Sequence, residues 1–141
     1  MTSYIKPIVL ILILTFLASC DNKTQQVDDL QATVIAVHDE IMPKMDDLMK
    51  LTSKLKVIMQ DSTQLLTSEN IVTANNLIGN LNTADEGMMH WMRNYDSMMQ
   101  GMSDDEKLVY LLKEEGAIKK VKQDMLSAIS GASNFVADHK K

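Results

Sequence analysis

The chain has 141 residues, 45% of them hydrophobic, with 19 acidic against 14 basic side chains, a net charge of −5 and a single Cys. The acidic balance argues against nucleic acid as a partner and against a body lying flat on anionic lipid. One Cys excludes an internal disulfide and makes a Cys-based metal site implausible. Leu, Met, Ala, Lys, Asp and Glu dominate, aromatics make up 4%, and β-branched alternation is lacking, a composition that favours helix throughout.

The first residues read as an address. Lys6 supplies a weak positive charge, and residues 8–18 are almost wholly apolar. A run of about 11 residues is too short to span a bilayer, which takes about 20. The run ends in Leu17-Ala18-Ser19-Cys20. Small residues before a lone Cys, straight after an apolar run, resemble a bacterial lipobox. The resemblance implies a lipoprotein signal peptide over 1–19 and a Cys20 that becomes the lipidated first residue, carrying acyl chains such as palmitate. The other reading is an ordinary buried Cys after an uncleaved anchor. Acyl chains at Cys20 make a stable membrane anchor, because each buried methylene contributes about 0.8 kcal/mol and two chains suffice. The location implied is the bacterial cell envelope, anchored to a membrane and facing the periplasm or the cell surface. Asp21 resembles an inner-membrane retention signal of enteric-type sorting, but other Gram-negative lineages read this position differently, so the leaflet stays open. The mature chain of 122 residues is one domain of ordinary size, with 13 basic and 19 acidic side chains.

Residues 20–26 read as the lipidated Cys and a short polar linker, which leaves the body standing off in solvent. A helix follows over about 27–60. One row of its heptad is Val27, Val34, Ile41, Leu48, Leu55; the other is Leu30, Val37, Lys44, Leu51, Ile58. Lys44 alone breaks the apolar pattern. Pro43 removes an amide and crowds the Asp39 carbonyl, so a kink is expected there. Residues 61–69 carry hydroxyl and Asp capping chemistry and read as a turn.

The second helix is expected over about 69–100. Its rows are Ile71, Ile78, Asp85, Met92, Met99 and Ala74, Leu81, Met88, Tyr95, Met102, widened by Leu77, Ala84, Trp91 and Met98. Residues 83–86 read either as helix interior or as a capping box that would bend the helix around 80–83. Gly101, then Ser103 with Glu106 three residues on, is a stop and restart. The third helix covers about 104–136, with Leu108, Leu111, Leu112, Ile118, Val121, Met125, Ala128, Ile129, Ala132 and Phe135 as its apolar stripe, and residues 137–141 form a fraying tail.

Three helices of about 33 residues, each about 50 Å long, with short connections, predict an all-α, antiparallel three-helix bundle with coiled-coil-like heptads over 27–136. A dimeric hairpin assembly is the alternative. With the first turn centred near Leu65, antiparallel partners carry numbers summing to about 130. Lys44 then faces Glu86 and neighbours Asp85, which predicts a structural ion pair between the heptad defects of two helices. Met42 falls against Met88, and His38 against Met92 with Trp91 alongside.

Ten of the eleven mature Met lie between Met42 and Met102. Thioether and imidazole ligands suit Cu(I), and a Trp face covers a cation, so His38, Met42, Met88 and Met92 form a candidate copper site. The competing reading is packing, since Met is a flexible core filler. Met-rich surface between Met98 and Met102 also suits a protein partner or a second copy of the chain. No Gly-rich phosphate loop, zinc-type HExxH or Ser/His/Asp set is present, which leaves no basis for an enzyme.

The residues His38 to Met45 and Ala84 to Tyr95, with Lys119 to Met125 more weakly, resemble a family of uncharacterised small helical bacterial lipoproteins, often labelled "viral A-type inclusion protein". The resemblance implies an envelope lipoprotein of helical fold. It supplies no activity and no catalytic residues.

Overall fold

The computed structural model describes residues 5–60 and 66–139, with side chains described from residue 22 onward. The side chains of the signal segment and of Cys20, most of the first turn and the last two residues of the tail therefore lie outside the described part. Helix α1 spans Ile5–Ile41, α2 Met45–Gln60, α3 Ser68–Asn94 and α4 Asp104–Asp138. Every regular element among the described residues is helical, and the helices form a bundle.

Helices α1 and α2 are one rod interrupted at Pro43. Met42–Lys44 form a single 3₁₀ turn, closed by the Met45 amide donating to the Met42 carbonyl. Proline has no amide to donate, and its ring crowds the carbonyl four residues back, so the α ladder is broken where the sequence places the ring.

Residues 21–26, expected as a linker, continue α1 as helix. Two of their polar side chains, Lys23 and Thr24, tie them to the start of α4. Lys23 Nζ reaches both carboxylate oxygens of Asp105, at 2.8 and 3.1 Å, and Thr24 Oγ1 donates to Asp104 at 2.8 Å. Further along the same pair of helices Lys122 bonds Glu40. Between the first rod and the chain after α3, Gln31 Nε2 donates to the Ser97 carbonyl at 2.9 Å. At the other end Asn70 meets His139 at 3.2 Å.

The core collects one row from each rod. Val27, Val34, Ile41, Leu48 and Leu55 are each no more than 4% exposed, and Leu111, Ile118, Met125 and Ala132 are fully buried on α4. On α3 the buried residues are Ala74, Leu81, Ala84, Met88 and Trp91. The row containing Ile71 and Asp85 instead lies along the margin: Ile71 is exposed and Asp85 half-buried. Each fully buried Leu, Ile or Met contributes about 1.5–3 kcal/mol over leaving it in water, so this seam dominates the packing.

Helix α3 runs unbroken through residues 80–83 and ends at Asn94, six residues short of the expected end. Tyr95 turns to extended backbone, and its amide closes the last turn on the Trp91 carbonyl. The Asp96 carboxylate then accepts the amides of Met98 and Met99 at 3.0 and 3.1 Å, an alternative to the helical ladder that Asp side chains readily offer. Met99 adopts φ +44° and Gly101 φ +80°, left-handed conformations that complete the turn. Met98, expected to widen the apolar stripe, is exposed as a result, while Met99 is buried.

Helix α4 begins with the predicted capping box. Ser103 Oγ accepts the Glu106 amide, and the Glu106 carboxylate accepts the Ser103 amide at 2.7 Å. The Ser103 amide and hydroxyl, both donating to the Glu106 carboxylate, hold it below the usual carboxylate range. The expected tail is tied down through His139, which bonds the Phe135 carbonyl at 2.8 Å and stacks on the Phe135 ring.

Candidate functional site

The residues singled out by sequence surround the Pro43 kink and the C-terminal half of α3. His38 sits in the last turn of α1, its ring half-buried and stacked on Trp91 at 5.6 Å between centroids. Trp91 stacks on Tyr95 at 4.8 Å, and Tyr95 lies parallel to Tyr110 of α4 at 6.2 Å. The spacing along α3 explains half of this column: Trp91 and Tyr95 are four residues apart and share a face. His38 thus lies beside Trp91, the neighbour expected for it.

The polar atoms of the column are unequally served. Tyr110 Oη accepts the Asp96 amide at 2.7 Å. Trp91 Nε1 and Tyr95 Oη are buried with no hydrogen-bond partner among the described residues. Gln31 lies beside Tyr95 but directs its amide to Ser97. Burial pushes both phenols above their ordinary range, opposed by the Gln31 side chain at Tyr95 and by the Asp96 amide at Tyr110, with a smaller upward push from the Glu114 carboxylate. Glu114 is itself the one buried charged residue among those described, 9% exposed.

Lys44 does not reach Asp85 or Glu86. It bonds Asp47 on its own rod at 2.9 Å, with both side chains well exposed, and neither Asp85 nor Glu86 enters an ion pair among the described residues. Two causes combine. The 3₁₀ turn at Met42–Lys44 leaves Lys44 exposed, and the buried stripe of α3 runs through Leu81 and Met88, which leaves Asp85 at the margin and Glu86 exposed. At such distances from the core an exposed partner three residues away wins over one across the helix pair. The hydrogen bond and charge of Lys44 lower the Asp47 carboxyl below its usual range.

The candidate copper set is divided. Met88 is fully buried in the core, Met42 and Met92 are half-buried against it, and His38 is at the rim with its Nδ1 bonded to Asp39 at 2.9 Å. His90 faces solvent, beside Asn94. Among the described residues no three His, Cys, Asp or Glu side chains gather as a metal-binding group.

No protein-family model, curated protein or solved structure matches this chain. Sequence reasoning missed Tyr110 and Glu114. Glu114 stands seven residues before Val121 and fourteen before Ala128, in the apolar row of α4, and that spacing is the signal that finds it.

Proposed function

We propose that this protein is a lipid-anchored helical bundle of the bacterial cell envelope, non-enzymatic, with an interaction or structural accessory role. The observation that carries the reading is the sequence Leu17-Ala18-Ser19-Cys20 at the end of a short apolar run. Lipid at Cys20 supplies membrane attachment to a chain in which no described helix is long and apolar enough to cross a membrane. The body is an antiparallel three-helix bundle with heptad seams. Supporting this are the partners Lys23 with Asp105 and Glu40 with Lys122 in one sense, and Gln31 with Ser97 and His38 with Trp91 in the other. Buried residues recurring every seven positions on each rod support the seams.

Copper binding by His38, Met42, Met88 and Met92 is the competing reading. The stacking of His38 on Trp91 favours it; the complete burial of Met88 and the His38–Asp39 bond favour packing. For the main reading, Cys20→Ala moves the protein from the membrane to the soluble fraction of the bacterium. An unchanged distribution would count against lipidation.

A further inference from the structure

Given lipid attachment at Cys20, we propose that the bundle end formed by the α3–α4 loop and the first turns of α4 rests on the bilayer surface, with the groove of Met102, Val109 and Tyr110 as its contact with neutral lipid. Helix α1 is continuous from Ile5 to Ile41, so no flexible spacer follows Cys20. Lys23 and Thr24 are bonded to Asp105 and Asp104, and Val27 is already in the core. Cys20 precedes Lys23 by three residues, about 4.5 Å along a helix. An acyl anchor therefore leaves the bundle level with the first turn of α4, which brings this end to the membrane and holds the opposite end, near Gln60, away.

What this end presents fits a neutral interface. A groove of about 440 Å³ is lined by Met102, Asp105, Glu106, Val109 and Tyr110. Val109 is 71% exposed, as is Met98 in the adjoining loop. Both carboxylates of the groove are engaged, Asp105 with Lys23 and Glu106 with Ser103, so the groove offers its apolar side chains. Lys107 is paired with Asp104. Lys23 and Lys107, the cations described at this end, are each matched to an acid, and a zwitterionic surface is the partner it suits. Val109 stands about 8 Å along α4 from Asp104, comparable with the roughly 5–8 Å of polar interface on each side of the hydrocarbon core.

The lone Cys makes a clean test. The chain from Cys20 onward keeps every described side-chain contact, since these begin at residue 22. Its Cys20 thiol is coupled to a maleimide lipid in phosphatidylcholine–phosphatidylethanolamine vesicles. Val109→Trp is compared with Lys56→Trp, an exposed position on α2, using brominated lipids as quenchers and subtracting Trp91 emission. Docking predicts at least about twofold stronger quenching for Val109→Trp, and loss of that excess when a Gly-Ser spacer is inserted after Asp21. Equal quenching at the two positions, or an excess that survives the spacer, overturns it. Met98→Trp, at an exposed loop position, repeats the comparison should the Val109 variant misfold. Because the coupling is chemical, failure here refutes docking whatever the cell attaches to Cys20. An unlipidated Cys20 in the bacterium refutes the anchor separately.

Discussion

Replacing Tyr95 by Phe removes one hydroxyl and leaves the ring. That hydroxyl is buried with no hydrogen-bond partner among the described residues, on a ring that lies between Trp91 and Tyr110. Burying an unpaired hydroxyl costs roughly 1–3 kcal/mol, and the lower end applies because Tyr95 as a residue is only half-buried. Tyr95→Phe is therefore expected to stabilise the fold by about 1 kcal/mol, a rise in Tm of about 4 °C for a domain of this size. Tyr110→Phe is chemically the same change on the neighbouring ring and has the opposite sign. It deprives the Asp96 amide of its acceptor, and the loss is about 1 kcal/mol. Urea and thermal denaturation followed by circular dichroism measure both. A Tyr95→Phe variant as destabilised as Tyr110→Phe would refute the reasoning. The two phenols also carry a pH signature. Burial raises both above the unfolded value, so their contribution is complete below about pH 10 and is lost as pH rises through the folded values. Tyr95→Phe lessens that alkaline loss.

Three further outcomes are expected. Lys44→Ala and Asp85→Ala each change stability by no more than about 0.5 kcal/mol and combine additively within about 0.3 kcal/mol, because the two residues are not paired; a double-mutant cycle in urea checks this, and a coupling above about 1 kcal/mol restores the cross-helix ion pair. Gly101→Ala costs about 1–2 kcal/mol through its φ of +80° alone, since the added methyl meets nothing within 4 Å. Packing of the Met/His cluster predicts that the folded chain fails to compete with a chromophoric Cu(I) chelator at micromolar copper; competition abolished by His38→Ala establishes copper binding instead.

The helical class, the Pro43 break, the Ser103–Glu106 cap and the first-rod core row from Val27 to Leu55 were all legible as spacing, because each depends on residues within a few turns of one another. The nearness of His38 to Trp91 was legible too, from the numbering of the two segments about the first turn. Direction around the helix was harder. Asp85 belongs to a heptad row as regular as the one containing Leu81, and only packing against two other rods decides which row is central. The end of α3 was misplaced because the pattern from Met92 to Met102 stays apolar after Asp96 has diverted the backbone. Residues 21–26 look like a linker by polarity, and their helical state rests on Asp104 and Asp105, some 80 residues away. Glu114 went unnoticed because a charge on a helix normally signals the solvent face.

The central claim is that Cys20 is a lipidated N-terminus. Mass spectrometry of the N-terminal peptide of the protein extracted from the membranes of its bacterium measures it directly. Lipidation predicts a peptide beginning at Cys20 and carrying a diacylglyceryl thioether. A peptide that continues upstream through Leu17-Ala18-Ser19, or begins at an unmodified Cys20, would contradict it.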